Sequence, residues 1–146
     1  MVFVLALLVL YAPQTQPINK PPLAGQWISG EADRLQIKLD GQSLTVTGTY
    51  RREPLTYKLD GSPSRNVTVT AAGEQWKHES LARWVGNAVL IVTTTTRQTG
   101  QSWEWLTIYS MDSGGGGLTV VTVDHFHEDD GGMVTRQKSY RRSSGS

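Results

Sequence analysis

Glycine-bearing turn signals recur along the chain at Gly41, Gly61, Gly73, Gly86, Gly100, Gly114 to Gly117 and Gly131-Gly132. They separate runs rich in Val, Thr, Leu, Tyr and Trp, each long enough for a strand of roughly six to ten residues. Turns this evenly spaced leave almost no room for helices and favour an antiparallel up-and-down meander, in a sandwich or a closed barrel. Closure removes sheet edges that invite aggregation and lets inward side chains enclose one small ligand.

The 146 residues fit a single domain that folds without staples. Fourteen Lys and Arg against thirteen Asp and Glu give a net charge of +1, so no broad field recruits nucleic acid or acidic lipid. Cysteine is absent, which excludes a disulfide framework, a thiolate metal site, a cysteine nucleophile and a lipid-anchoring cysteine.

The segment Met1 to Ala12 is almost wholly apolar and gives way to Pro13-Gln14-Thr15-Gln16-Pro17. It is shorter than the about twenty residues an ordinary membrane-spanning helix needs, and it reads as the apolar stretch of an export signal. No Lys or Arg precedes it and Leu10-Tyr11-Ala12 makes a poor cleavage site; the alternative is an apolar N-terminal strand. Residues 1–22, with Pro13, Pro17, Pro21 and Pro22, are set aside as signal and extended linker. Residues 23–142 form the barrel domain and 143–146 a disordered tail. The expectation is a soluble, exported protein, periplasmic or extracellular, with no membrane anchor once the signal is removed.

The body opens at Gly25-Gln26-Trp27-Ile28-Ser29. Leu35, Ile37 and Leu39 then share a face, Asp40-Gly41 turns the chain, and Leu44, Val46, Gly48 and Tyr50 share the next face. Asp60-Gly61 repeats the Asp-Gly strand ending twenty residues later. Further strands are expected at about Asn66 to Ala71, Gln75 to Trp84, Ala88 to Arg97, Ser102 to Met111, Leu118 to Phe126 and Val134 to Arg141. The total is about eight to ten. Trp76, His78, Ser80, Ala82 and Trp84 share one face, as do Trp103, Trp105, Thr107 and Tyr109. These aromatics either line a cavity, with Thr94, Thr107 and Thr122 as hydroxyl anchors, or fill a solid core.

His125, Phe126, His127, Glu128, Asp129 and Asp130 concentrate the ligand chemistry. On a strand His125 and His127 point to one side and have the separation to chelate Zn²⁺ or Cu²⁺, with His78 or a carboxylate completing the shell. The same pattern is also that of a solvated strand end. No Gly-x-Ser-x-Gly elbow is present, so no enzyme is expected and no resident cofactor, zinc being the alternative. Gly114 to Gly117 lacks the following helix and the Lys-Ser/Thr of a phosphate loop, and reads as a hairpin loop. Asn66-Val67-Thr68 matches a glycosylation sequon on an expected strand, and no function is attached to it.

Gly25-Gln26-Trp27, the all-β meander and the closing Tyr140-Arg141-Arg142 together resemble the calycin superfamily, which includes lipocalins and fatty-acid-binding proteins. In lipocalins the tryptophan packs at the closed end of the barrel beneath an arginine. The resemblance therefore implies a barrel floor in which Trp27 meets Arg141 or Arg142 in a cation–π contact. Tyr57 to Gly61 and Ala82 to Asn87 extend the likeness toward small exported bacterial lipocalin-like proteins. Histidine-based calycins, haem barrels and zinc-binding periplasmic forms, are matched only by loose His placement. The reading implied is a non-enzymatic barrel that holds a small apolar or amphipathic molecule. Its alternatives are a solid interaction module that contacts a partner protein, and a metal barrel.

Overall fold

The computed structural model describes residues 22–49, 53–125 and 133–144, with His125 described in its backbone only. Ten strands follow in order: β1 (Gly25–Ser29), β2 (Asp33–Asp40), β3 (Ser43–Gly48), β4 (Leu55–Lys58), β5 (Ser64–Val69), β6 (Gln75–Val85), β7 (Ala88–Arg97), β8 (Ser102–Met111), β9 (Gly117–His125) and β10 (Met133–Arg142). No helix occurs among the described residues. All pairings are antiparallel, and because β1 pairs with β10 the meander curls round into the order β4-β3-β2-β1-β10-β9-β8-β7-β6-β5. The result is a nearly closed barrel.

Strand β7 shows why these sequences take this form. Its residues, Ala-Val-Leu-Ile-Val-Thr-Thr-Thr-Thr-Arg, are mostly β-branched, stiff at χ1 and suited to a pleated surface. Val89, Ile91, Thr93 and Thr95 are buried in strict alternation with half-buried neighbours, as a barrel wall requires. The hairpins close on glycines with positive φ where the turn demands it: Gly41 between β2 and β3 at 57°, and Gly86 between β6 and β7 at 61°.

Asp60-Gly61 behaves differently from Asp40-Gly41. The first dipeptide turns a ladder-paired hairpin, whereas the second ends β4 without starting a ladder to β5. Asp60 accepts bonds from the Ser62 hydroxyl at 2.6 Å and the Ser62 N–H at 2.8 Å, which hold its carboxyl below the usual carboxylate range. Strands β4 and β5 instead meet along a seam bridged by side chains. Asn66 accepts the Thr56 N–H and donates to the Thr56 carbonyl, each at 2.9 Å, so its amide stands in for a peptide group of the missing ladder. Ser64 accepts the Lys58 N–H at 2.7 Å. The sequon asparagine thus spends its side-chain nitrogen on the seam. Replacing Asn66 by Ala should cost about 1–2 kcal/mol for two net hydrogen bonds. Asn66→Asp, which sets a carboxylate against the Thr56 carbonyl, should cost at least as much. Urea unfolding checks both, and a stability unchanged in either variant would refute the bridging role.

The interior is apolar at one end. Leu23, Trp27, Ile37, Leu44, Leu55, Tyr57, Leu59, Ala82, Trp84, Val89, Ile91, Met111 and Leu118 pack there into one cluster, each less than 5% exposed. This is also the end where β10 finishes and where the β2–β3, β6–β7 and β8–β9 turns lie. The opposite end, reached by the first residues of β2, β6, β8 and β10 and the last of β5, β7 and β9, has a different chemistry.

Candidate functional site

At the apolar end Trp27 is fully buried, and its indole N–H donates to the Leu23 carbonyl at 3.0 Å. Of the two arginines considered for the floor, Arg142 makes the contact: its guanidinium carbon lies 4.3 Å from the Trp27 ring centroid. Arg141, opposite Ile28, is exposed on the outer face. Arg142 also donates to the carbonyls of Gly115 (3.2 Å), Ala24 (3.0 Å) and Pro22 (2.6 Å). It thereby ties the β8–β9 loop and the chain preceding β1 across the barrel end. A Cβ on Gly25 would lie 2.5 Å from a terminal nitrogen of Arg142, and Gly25 has φ of 148°. Glycine at the first position of Gly25-Gln26-Trp27 is therefore the space the arginine occupies.

The other end is lined by hydroxyls, indoles and charge. His78 is 7% exposed, and its two ring nitrogens lie 2.8 Å from the hydroxyls of Thr68 and Thr95. The Thr95 hydroxyl also accepts the Trp105 indole N–H at 3.0 Å. Below this chain the Ser80 and Thr93 hydroxyls are bonded at 2.8 Å, both less than 5% exposed. Buried hydroxyls stay favourable only when so paired. Register carries the polar face onward: Trp105 stands opposite Asp124, and Thr107 opposite Thr122. Asp124 accepts from Arg136 at 2.7 Å. Asp33 pairs with Lys138 and accepts the Tyr140 hydroxyl at 3.1 Å.

Nearest the rim, Trp76 and Trp103 meet edge to face with centroids 5.2 Å apart. The Arg97 guanidinium carbon sits 5.0 Å from the first ring and 5.3 Å from the second, and Arg97 donates to Gln101 at 3.1 Å. The Trp76 indole nitrogen and Arg97 Nε are both buried without a hydrogen-bond partner. Each such orphan costs about 1–3 kcal/mol.

Of the expected interior residues, Trp84 and Tyr109 lie in the apolar end, while Trp76, Trp103, Trp105, Thr107 and Thr122 lie on the inner wall at mid-barrel and above. Thr94 does not: it alternates with the buried Thr93 and Thr95 and aligns with Glu79 and Glu104 on the outer face. His127 lies outside the described residues, as do Tyr50 and Phe126. The backbone of His125 pairs with Glu104 and Met133. Among the described residues no group of three or more His, Asp or Glu is arranged to hold a metal ion. Sequence reasoning missed Thr68, Thr93, Thr95 and Arg97 as parts of the inner wall, and considered Asp124 only as a carboxylate beside His125 and His127. The available signal was parity, since Trp76 and Arg97, like Ser80 and Thr93, are register partners.

The class defined by this geometry is an up-and-down antiparallel barrel compatible with a calycin-like fold, sealed at one end by an arginine over a buried tryptophan. No protein-family model matches the chain, and no curated protein matches it in sequence.

Proposed function

We propose that the protein is a non-enzymatic binding barrel that takes a small amphipathic molecule between its inner walls. The observation that carries this reading is the division of the interior. Toward the floor Trp27, Ile37, Leu44, Leu55, Trp84 and Leu118 converge, whereas toward the other end the walls present Thr68, His78, Ser80, Thr93, Thr95 and Trp105. An amphipathic molecule matches both halves at once. Further support comes from Trp103, Trp105, Thr107, Val120 and Thr122. Each is on a strand paired on both sides and directed inward by register, yet each stays half-buried, unlike the apolar end. Ligand sites combine such apolar walls with a few placed polar groups.

The floor pairing of Trp27 with Arg142 supports placing the chain with lipocalin-like proteins, and the apolar Met1 to Ala12 supports export. A second reading, a solid interaction module, draws on the filled end, where Trp84, Tyr109 and Met111 converge. Native mass spectrometry of the full chain tests the proposal. An organic mass retained at 1:1 stoichiometry is expected, and a bare mass even after incubation with a lipid extract would favour the solid module.

A further inference from the structure

Resting on the reading of the barrel as a small-molecule binder, we infer that its rim carries a subsite for the carboxylate of an aromatic acid, formed by the Arg97 guanidinium and the Trp76 indole N–H. The argument begins with the charges. Among the described residues the inward-facing cations are accounted for one by one: Arg136 meets Asp124, Lys138 meets Asp33, and Arg142 meets three carbonyls. Among the described residues Arg97 has no carboxylate within ion-pair distance. Its hydrogen-bond partner is Gln101, in the exposed turn before β8.

Two donors are left without acceptors in the same place. Arg97 Nε and Trp76 Nε1 belong to directly opposed residues of β7 and β6, and both are buried and unpartnered. Two N–H groups lacking acceptors, one of them cationic, call for an anionic acceptor, and a planar carboxylate has two oxygens to offer them. The guanidinium meanwhile occupies the faces of Trp76 and Trp103. An entering carboxylate draws Arg97 toward itself and off the rings. The uncovered indoles then accept a flat aromatic group, while Thr95, Trp105 and His78 below form the polar wall it meets next. Charge and stacking together select an aromatic acid over an aromatic amine or a neutral analogue.

The test titrates the full chain with 2-naphthoate and with its neutral isostere naphthalene-2-carboxamide, following tryptophan emission. The carboxylate should bind at least about tenfold tighter, the effect of one charge-assisted contact. Arg97→Gln should bring the two affinities together by weakening naphthoate alone, with the carboxamide affinity reporting an intact barrel. Arg97→Lys should fall between, and Trp76→Phe should weaken naphthoate more than the carboxamide, because the charged acceptor loses the stronger hydrogen bond. Equal affinities in the native protein, or a parallel loss of both ligands in Arg97→Gln, would overturn the subsite while leaving a binding barrel in place. If neither naphthalene binds but a neutral amphiphile such as N-phenyl-1-naphthylamine does, the subsite falls alone. If all three fail, the binding reading falls with it.

Discussion

Trp27→Ala should lower the stability of the barrel by about 3–5 kcal/mol, the range for removing a large aromatic from a packed core. Trp27 is fully buried, is the largest of the side chains less than 2% exposed, and touches three parts of the floor at once. Its ring carries the Arg142 guanidinium, its N–H satisfies the Leu23 carbonyl, and its strand joins β10 to β2. Truncation opens a cavity, strands a buried carbonyl and removes the face on which the arginine rests. Trp27→Phe separates these effects: it keeps a ring beneath Arg142 but loses the N–H, so it should cost less than Ala, leaving about 1–3 kcal/mol for the unsatisfied carbonyl. Urea unfolding by far-ultraviolet circular dichroism measures both. A loss below about 1 kcal/mol for Trp27→Ala would place the tryptophan outside the cooperative core.

Arg142→Ala should cost about 2–4 kcal/mol, combining a partly desolvated cation–π contact with hydrogen bonds from a charged donor to three carbonyls. The carbonyls of Gly115, Ala24 and Pro22 come from two separate segments, so the loss is felt as loosening of the β8–β9 turn and of the chain entering β1. Arg142→Lys keeps the charge but not the fork of donors, and should recover less than half of the loss. Gly25→Val should reproduce much of the Arg142→Ala effect with the arginine present, because its Cβ would occupy the guanidinium position on a backbone of positive φ. Hydrogen exchange at Gly117 and Gln26 resolves the two segments. Protection unchanged in Arg142→Ala would show that the carbonyl contacts contribute nothing.

The fold was legible where runs of strand-forming residues were long and cleanly bounded by glycine turns. Strands β7 and β8 are found as read, Ala88–Arg97 and Ser102–Met111, because each is a ten-residue run rich in β-branched and aromatic side chains between glycine turns. Strand β5 is found at Ser64–Val69 rather than from Asn66 to Ala71. Its opening residues face a seam closed by Ser64 and Asn66 side chains, which show no apolar alternation. The polar network was illegible for a related reason. His78 finds its partners across strands, at Thr68 and Thr95, and the run Thr93 to Thr96 has no polarity contrast to say which threonines face inward. Parity fixes that only once Val89 and Ile91 are known to be buried, which places Thr93 and Thr95 inward and Thr94 outward, against the expectation of Thr94 as an inner anchor. For the floor arginine the resemblance leaves Arg141 and Arg142 open, and the pairing of Trp27 with Arg142 decides between them.

The binding claim itself rests on the half-buried inner wall of β8 and β9. The most direct measurement is a fluorescence titration of the full chain with the neutral amphiphile N-phenyl-1-naphthylamine, repeated on Thr122→Trp, which places a bulky ring on that wall. The account predicts saturable uptake at 1:1 stoichiometry in the native protein, and at least about tenfold weaker uptake in the variant at unchanged fold, since the probe's apolar contacts are excluded. No saturable binding to the native barrel, or equal binding by both proteins, would contradict it.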